Sequence, residues 1–194
     1  MKPTNNHELQ QEMRIAVLGW GSLISKPDNL NFEGEWQSKG PILPIEFSRR
    51  SRDGRLTLVI DTSKGKKLST QFVVSRFNDL PQAIENLRVR EGTSTQNIGF
   101  VNLRNNTYRS RTNTFRAIKK WAKEYKFDAV IWTDLPPSFP KQPFTVLRAI
   151  KYLKSLNPEE AGTARQYIRQ APIDVMTPLR IKLLEDGWLN EGSK

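Results

Sequence analysis

The segment Arg14-Ile15-Ala16-Val17-Leu18-Gly19-Trp20-Gly21-Ser22-Leu23-Ile24 constrains this chain more than any other. Ile15 to Leu18 is apolar at every position, the pattern of a strand buried on both faces rather than one alternating between core and water. Gly19 and Gly21 then permit positive φ angles and a close approach of backbone to ligand, and successive amides in such a turn can converge on a carboxylate or an oxyanion. Two glycines after a strand are also ordinary punctuation, and the turn alone does not separate the two readings.

Three familiar chemistries fail at this turn. A dinucleotide fingerprint wants a third small residue where Ile24 stands and a helix opening there, whereas Ser25-Lys26-Pro27-Asp28-Asn29 reads as loop. No Gly-Lys-Ser/Thr phosphate loop occurs. Ser22 has no base to make it a nucleophile, because the only histidine is His7 in a polar N-terminal arm. The chain has no cysteine, so thiolate nucleophiles and disulfides are excluded, and a single histidine argues against a zinc or iron site. Chemistry is left to carboxylates, hydroxyls, cations and backbone.

With 194 residues, 37% hydrophobic and 26% charged, and neither linker nor repeat, one domain over 13–189 is expected behind an arm over 1–12. No run approaches membrane-spanning length, so a cytoplasmic protein without membrane contact is expected; oligomeric state is left open. The net charge of +11 favours anionic partners. It clusters at Arg104, Arg109, Arg111, Arg116, Lys119, Lys120, Lys123 and Lys126, against Glu124 alone. A solvated helix face is the favoured reading of that cluster, and a nucleic-acid surface the other.

Residues 25–41 read as a loop pinned by Phe32 and Trp36. Pro44 to Ser51 and Arg55 to Ile60 flank Asp53-Gly54, a hairpin signal. Lys64-Gly65-Lys66-Lys67 reads as a turn and Ser69 to Phe77 as a strand. Asp79 with Gln82, then Pro81, then Gly92 predict a capped helix over about 80–91. Its apolar stripe of Leu80, Ile84 and Leu87 continues to Glu91. A carboxylate on a hydrophobic face at a helix C-terminus has its pKa raised by burial and by the dipole, which suits general acid–base work. A frayed glutamate turned to water, paired with Arg88 or Arg90, is the alternative on helix geometry. Further on, 97–103 and 127–132 read as strands. Helices are predicted around Phe115 to Tyr125, around Val146 to Leu153, after Asn157-Pro158 and after Thr177-Pro178.

The turn and the helix-end glutamate together resemble the γ-glutamyl cyclotransferase-like family. Trp20-Gly21-Ser22-Leu23 is similar to that family's Tyr-Gly-Ser-Leu loop at the end of the first strand. Val89-Arg90-Glu91-Gly92, followed by Gly99-Phe100-Val101, is similar to the segment holding its essential glutamate. The likeness covers about 13–103. It implies an α+β fold built on a small mixed β-barrel (core about 13–135) flanked by helices, with a helical extension over about 143–189. It further implies a γ-glutamyl small-molecule substrate held at Gly19, Trp20, Gly21, Ser22 and Leu23, with Arg49 on a substrate carboxylate, and Glu91 as the catalytic acid–base. No metal or organic cofactor is implied. Trp20 departs from the family by keeping the ring and losing the phenol hydroxyl. Trp132, Thr133 and Asp134 are weaker candidates for a specificity wall. The alternative is a catalytically silent member of the fold that acts as a binding module, with nucleic acid as the candidate partner of its basic surface.

Overall fold

The fully apolar run forms β1 (Ile15–Gly19), which the computed structural model places inside a six-stranded mixed sheet; residues 12–140 and 143–190 are described. The expected N-terminal arm, His7 included, lies outside the described residues apart from Glu12. β1 is buried along its whole length because alternate side chains feed two cores: Ile15 and Val17 one, Ala16 and Leu18 the other. It pairs antiparallel with β6 (Gln71–Ser75) and parallel with β9 (Ala129–Thr133). β2 (Phe32–Gln37) extends the sheet beyond β6, and β7 (Ile98–Asn102) followed by β8 (Thr107–Arg109) extends it beyond β9.

A second sheet of three strands has β3 (Ile42–Arg50) at its centre, between β4 (Leu56–Ile60) and β5 (Lys66–Ser69). The β3–β4 hairpin turns through Asp53-Gly54 as expected, with Gly54 at φ +83°. The fold is α+β, but neither sheet closes into the expected barrel. The chain crosses from the small sheet to the large one at Thr70, whose backbone carbonyl takes the Gly40 amide and whose hydroxyl donates to Pro41. The strands therefore divide between two open sheets.

Helix α1 (Ser22–Ser25) is a single turn after the glycines. Helix α2 (Leu80–Glu91) covers the core face of Ile15, Val17 and Ile131 with Leu80, Ala83, Ile84 and Leu87. The Asp79 side chain accepts from the Gln82 amide, and Gly92 ends the helix in the left-handed region, so both predicted stops act as expected. Helix α3 (Phe115–Glu124) packs Ile118, Trp121 and Ala122 into the other core. Helices α4 (Val146–Lys154), α5 (Pro158–Gln170) and α6 (Pro178–Glu185) open on Thr145, Asn157 and Thr177, each of whose side chains accepts an amide of the first turn. Ile168, Leu153, Leu179 and Leu183 share a core with Leu18, Phe47 and Leu56, so the helical extension is built into the sheets rather than appended to them. Arg180 closes the end of α5 by donating to the carbonyls of Ala171, Pro172 and Val175.

Three strands depart from expectation. β2 occupies the predicted loop, β5 takes two residues of the predicted Lys64–Lys67 turn, and β8 was not foreseen. All three are edge strands with half-exposed or exposed residues, held by pairing and lacking an apolar run of their own.

Candidate active site

The turn after β1 and the end of α2 meet at a cavity of about 490 Å3. Gly19, Trp20, Gly21, Ser22, Leu23, Arg49 and Glu91 all line it, so the seven residues singled out in the sequence are brought together. The glycines are used differently from expectation. Neither Gly19 nor Gly21 has a positive φ; Gly21 lies at φ −149°, ψ −135°. At Gly19 what demands glycine is room, and at Gly21 a side chain would be a tight fit. A Cβ at Gly19 would stand 2.7 Å from the Trp36 ring, and one at Gly21 would stand 3.3 Å from Leu58 Cδ1 and 3.5 Å from the Tyr167 hydroxyl. No side chain caps α1 at Gly21, and Ser22 and Leu23 begin its first turn, where amides have no intrahelical acceptor.

Glu91 is the last residue of α2, and its side chain is only 15% exposed. Burial pushes its carboxyl above the ordinary 4.5, outweighing the Arg90 charge, the Arg90 hydrogen bond and the Thr133 hydroxyl, which all pull it down. The frayed, solvated alternative is thereby replaced by a buried pair. Arg90 also does mechanical work, since its Nη2 donates to the Ser22 carbonyl at 3.0 Å and to the Lys26 carbonyl. One guanidinium thus joins the glutamate to the turn that faces it.

Tyr167, on α5, completes the cavity and was not singled out in the sequence. Burial raises its phenol pKa above the ordinary 10.0, so the hydroxyl stays protonated near neutrality. The Leu58 backbone, the Arg55 charge and the Ser22 side chain pull the other way, while the Glu91 charge adds to the rise. Trp20 is 6% exposed and sits mostly in the core, its indole directed at the Leu58 carbonyl at 3.5 Å. A phenol hydroxyl thus stands beside the same turn, contributed by a residue nearly 150 positions after Trp20. No local pattern marks Tyr167; only the packing of α5 against β4 and α1 brings it there.

The rim is basic. Arg49 is half-buried and spends Nη1 on the Pro136 carbonyl at 2.9 Å and on Ser138 Oγ at 3.4 Å. Burial, then Arg111, lowers its pKa. Arg55 pairs with Asp53 at 2.6 Å and lies 5.0 Å over the Tyr167 ring, while Arg52 is exposed and forms no ion pair among the described residues. Of the late-strand candidates only Thr133 lines the cavity. Trp132 is fully buried against Gly99, and Asp134 is held by Arg111.

No family model, curated protein or solved structure matches the chain.

Among the described residues no group of three or more His, Cys, Asp or Glu is placed to hold a metal ion, and no helix is long and apolar enough to cross a membrane. What the cavity offers is a protonatable buried carboxylate, a neutral phenol, turn amides and a cationic rim.

Proposed function

We propose that the cavity is the active site of a γ-glutamyl cyclotransferase-like enzyme that releases 5-oxoproline from a γ-glutamyl amine or peptide. The observation that carries the reading is the buried, high-pKa Glu91 facing the Gly21–Leu23 turn across one cavity, with Arg90 bonding both. The reaction is an intramolecular aminolysis. The Glu91 carboxylate takes a proton from the substrate α-ammonium, and the freed nitrogen attacks the γ-carbonyl carbon to form the five-membered ring. Negative charge grows on the carbonyl oxygen, and the cavity-lining amides of Ser22 and Leu23 with the Tyr167 hydroxyl would be the donors that oppose it. As the bond to the leaving nitrogen breaks, Glu91 returns the proton to that nitrogen, and the second proton shed by the ring nitrogen passes to the released amine, leaving 5-oxoproline and an alkylammonium. Water is neither consumed nor needed.

A carboxylate that both accepts and returns a proton near neutrality works best with a pKa lifted toward the working pH, and burial supplies that lift at Glu91. Product identity tests the proposal. Incubation with γ-glutamyl amino acids, γ-glutamylamines and glutathione is expected to yield 5-oxoproline and amine in equal amounts from at least one class, and nothing from substrates whose α-amine is acetylated. Release of glutamate, or turnover of the acetylated substrates, would mean hydrolysis and would overturn the proposal.

A further inference from the structure

Seven of the eight cations singled out in the basic segment 104–126, all but Lys126, separate into two sets once folded. Arg104, Arg109 and Arg111 are consumed internally: Arg104 binds Asp128 at 3.0 Å, Arg109 the Ile98 carbonyl at 2.8 Å, and Arg111 the Asp134 carbonyl at 2.8 Å and Asn97. Arg116, Lys119, Lys120 and Lys123 instead form one outward stripe of α3, at spacings of three, four and seven. They span about 100° of the helix, opposite the buried Ile118, Trp121 and Ala122. None of the four forms an ion pair among the described residues. With Phe115 they line an open depression of about 500 Å3 that shares no residue with the catalytic cavity, and Glu124, the one acid of the helix, does not line it.

Aromatic rings stand at the head of this stripe. Tyr108, on the edge strand β8, lies flat on Phe115 with ring centres 4.0 Å apart and planes 7° from parallel, and is still 55% exposed. Arg116 sits 5.9 Å over Phe115. Lys119 bonds Asn106 in the β7–β8 turn, fastening hairpin and helix into one surface. Cations alone would suit any polyanion. A stacking platform continuous with the cations suits a chain of phosphates whose bases are free to stack, as in single-stranded nucleic acid.

We propose that the α3–β8 face is a binding surface for single-stranded nucleic acid. The phosphates run along Arg116, Lys119, Lys120 and Lys123, and a base stacks on the outer face of Tyr108. The surface carries this role independently of the chemistry at Glu91.

The test is fluorescence anisotropy with labelled oligothymidylate and oligouridylate of about sixteen nucleotides, beside a duplex and phosphatidylserine vesicles. Binding is expected to weaken with salt at a log–log slope of about −3, set by four neutralised phosphates. Lys120→Glu with Lys123→Glu is expected to lower affinity at least about tenfold, and Tyr108→Ala at least about fivefold, with 5-oxoproline release unchanged in both. Absence of binding at low salt, affinity indifferent to the charge reversal, or equal binding of duplex or vesicles with Tyr108→Ala neutral would overturn the proposal.

Discussion

Glu46 and Glu91 are both glutamates taken out of water, and the protein spends their oxygens differently. Glu46, in the middle of β3, is fully buried. Its Oε1 takes the Phe47 amide at 2.7 Å, its Oε2 takes the Leu179 amide at 3.3 Å, and the Thr177 side chain bonds it as well. It thereby seats the first turn of α6 on the small sheet, where a negative charge also suits the helix dipole. Glu91 stands at the opposite kind of helix end, where the last carbonyls disfavour charge, and its protein partners are Arg90 and Thr133 beside an open cavity. Burial raises both pKa values. A raised pKa therefore does not by itself identify a catalytic carboxylate; access and unspent hydrogen-bonding capacity do.

The two glutamates can be told apart by substitution. Glu91→Gln is expected to lower kcat by about 10²–10⁴-fold, the usual share of a general acid–base, while stability to denaturant moves by less than about 1 kcal/mol. Glu46→Ala is expected to do the reverse: two amides and a hydroxyl lose their acceptor, stability falls by about 2–4 kcal/mol, and kcat per folded molecule is kept. Steady-state kinetics and urea unfolding on the same preparations check both.

Much of this contrast was legible in the sequence on one side only. Glu91 continues a stripe of Leu80, Ile84 and Leu87 on a helix whose Asp79 and Gly92 stops are local signals, so spacing offered its burial as one of two readings, a solvated helix end being the other. β1 and the Asp53-Gly54 hairpin were readable for the same reason: each is specified by residues adjacent in the chain. Glu46 looks like a polar position of a half-exposed strand, and only the return of α6, more than a hundred residues later, buries it. Tyr167 is illegible in the same way. β2, β5 and β8 escaped because edge strands are half-wet and owe their conformation to a neighbour rather than to their own pattern. The predicted barrel, an inference from likeness, gave way because β3–β5 and β2–β6 pair in separate sheets.

Tyr167→Phe sharpens the comparison from the other side of the cavity. Removing the hydroxyl is expected to lower kcat by about tenfold, the worth of roughly one hydrogen bond, with KM less affected. Trp20→Tyr is expected to change kcat less than Tyr167→Phe, because the buried Trp20 ring does not carry the hydroxyl. Wild-type behaviour in Tyr167→Phe would restrict its part to packing.

The smallest effect is in pH. Both folded carboxyls have pKa values above the ordinary 4.5, so between 4.5 and the raised values the folded state holds more protons than the unfolded state. Stability is expected to fall as pH rises through that window. Glu91→Gln and Glu46→Ala should each flatten part of the slope when urea unfolding is followed against pH.

The most direct test of the account is 5-oxoproline released by wild type and by Glu91→Gln over the γ-glutamyl panel, with melting curves taken on the same samples. The account predicts release by wild type on at least one substrate and its loss in the variant at an unchanged melting temperature. A folded wild type that releases none from any member, or equal release by both proteins, would contradict it.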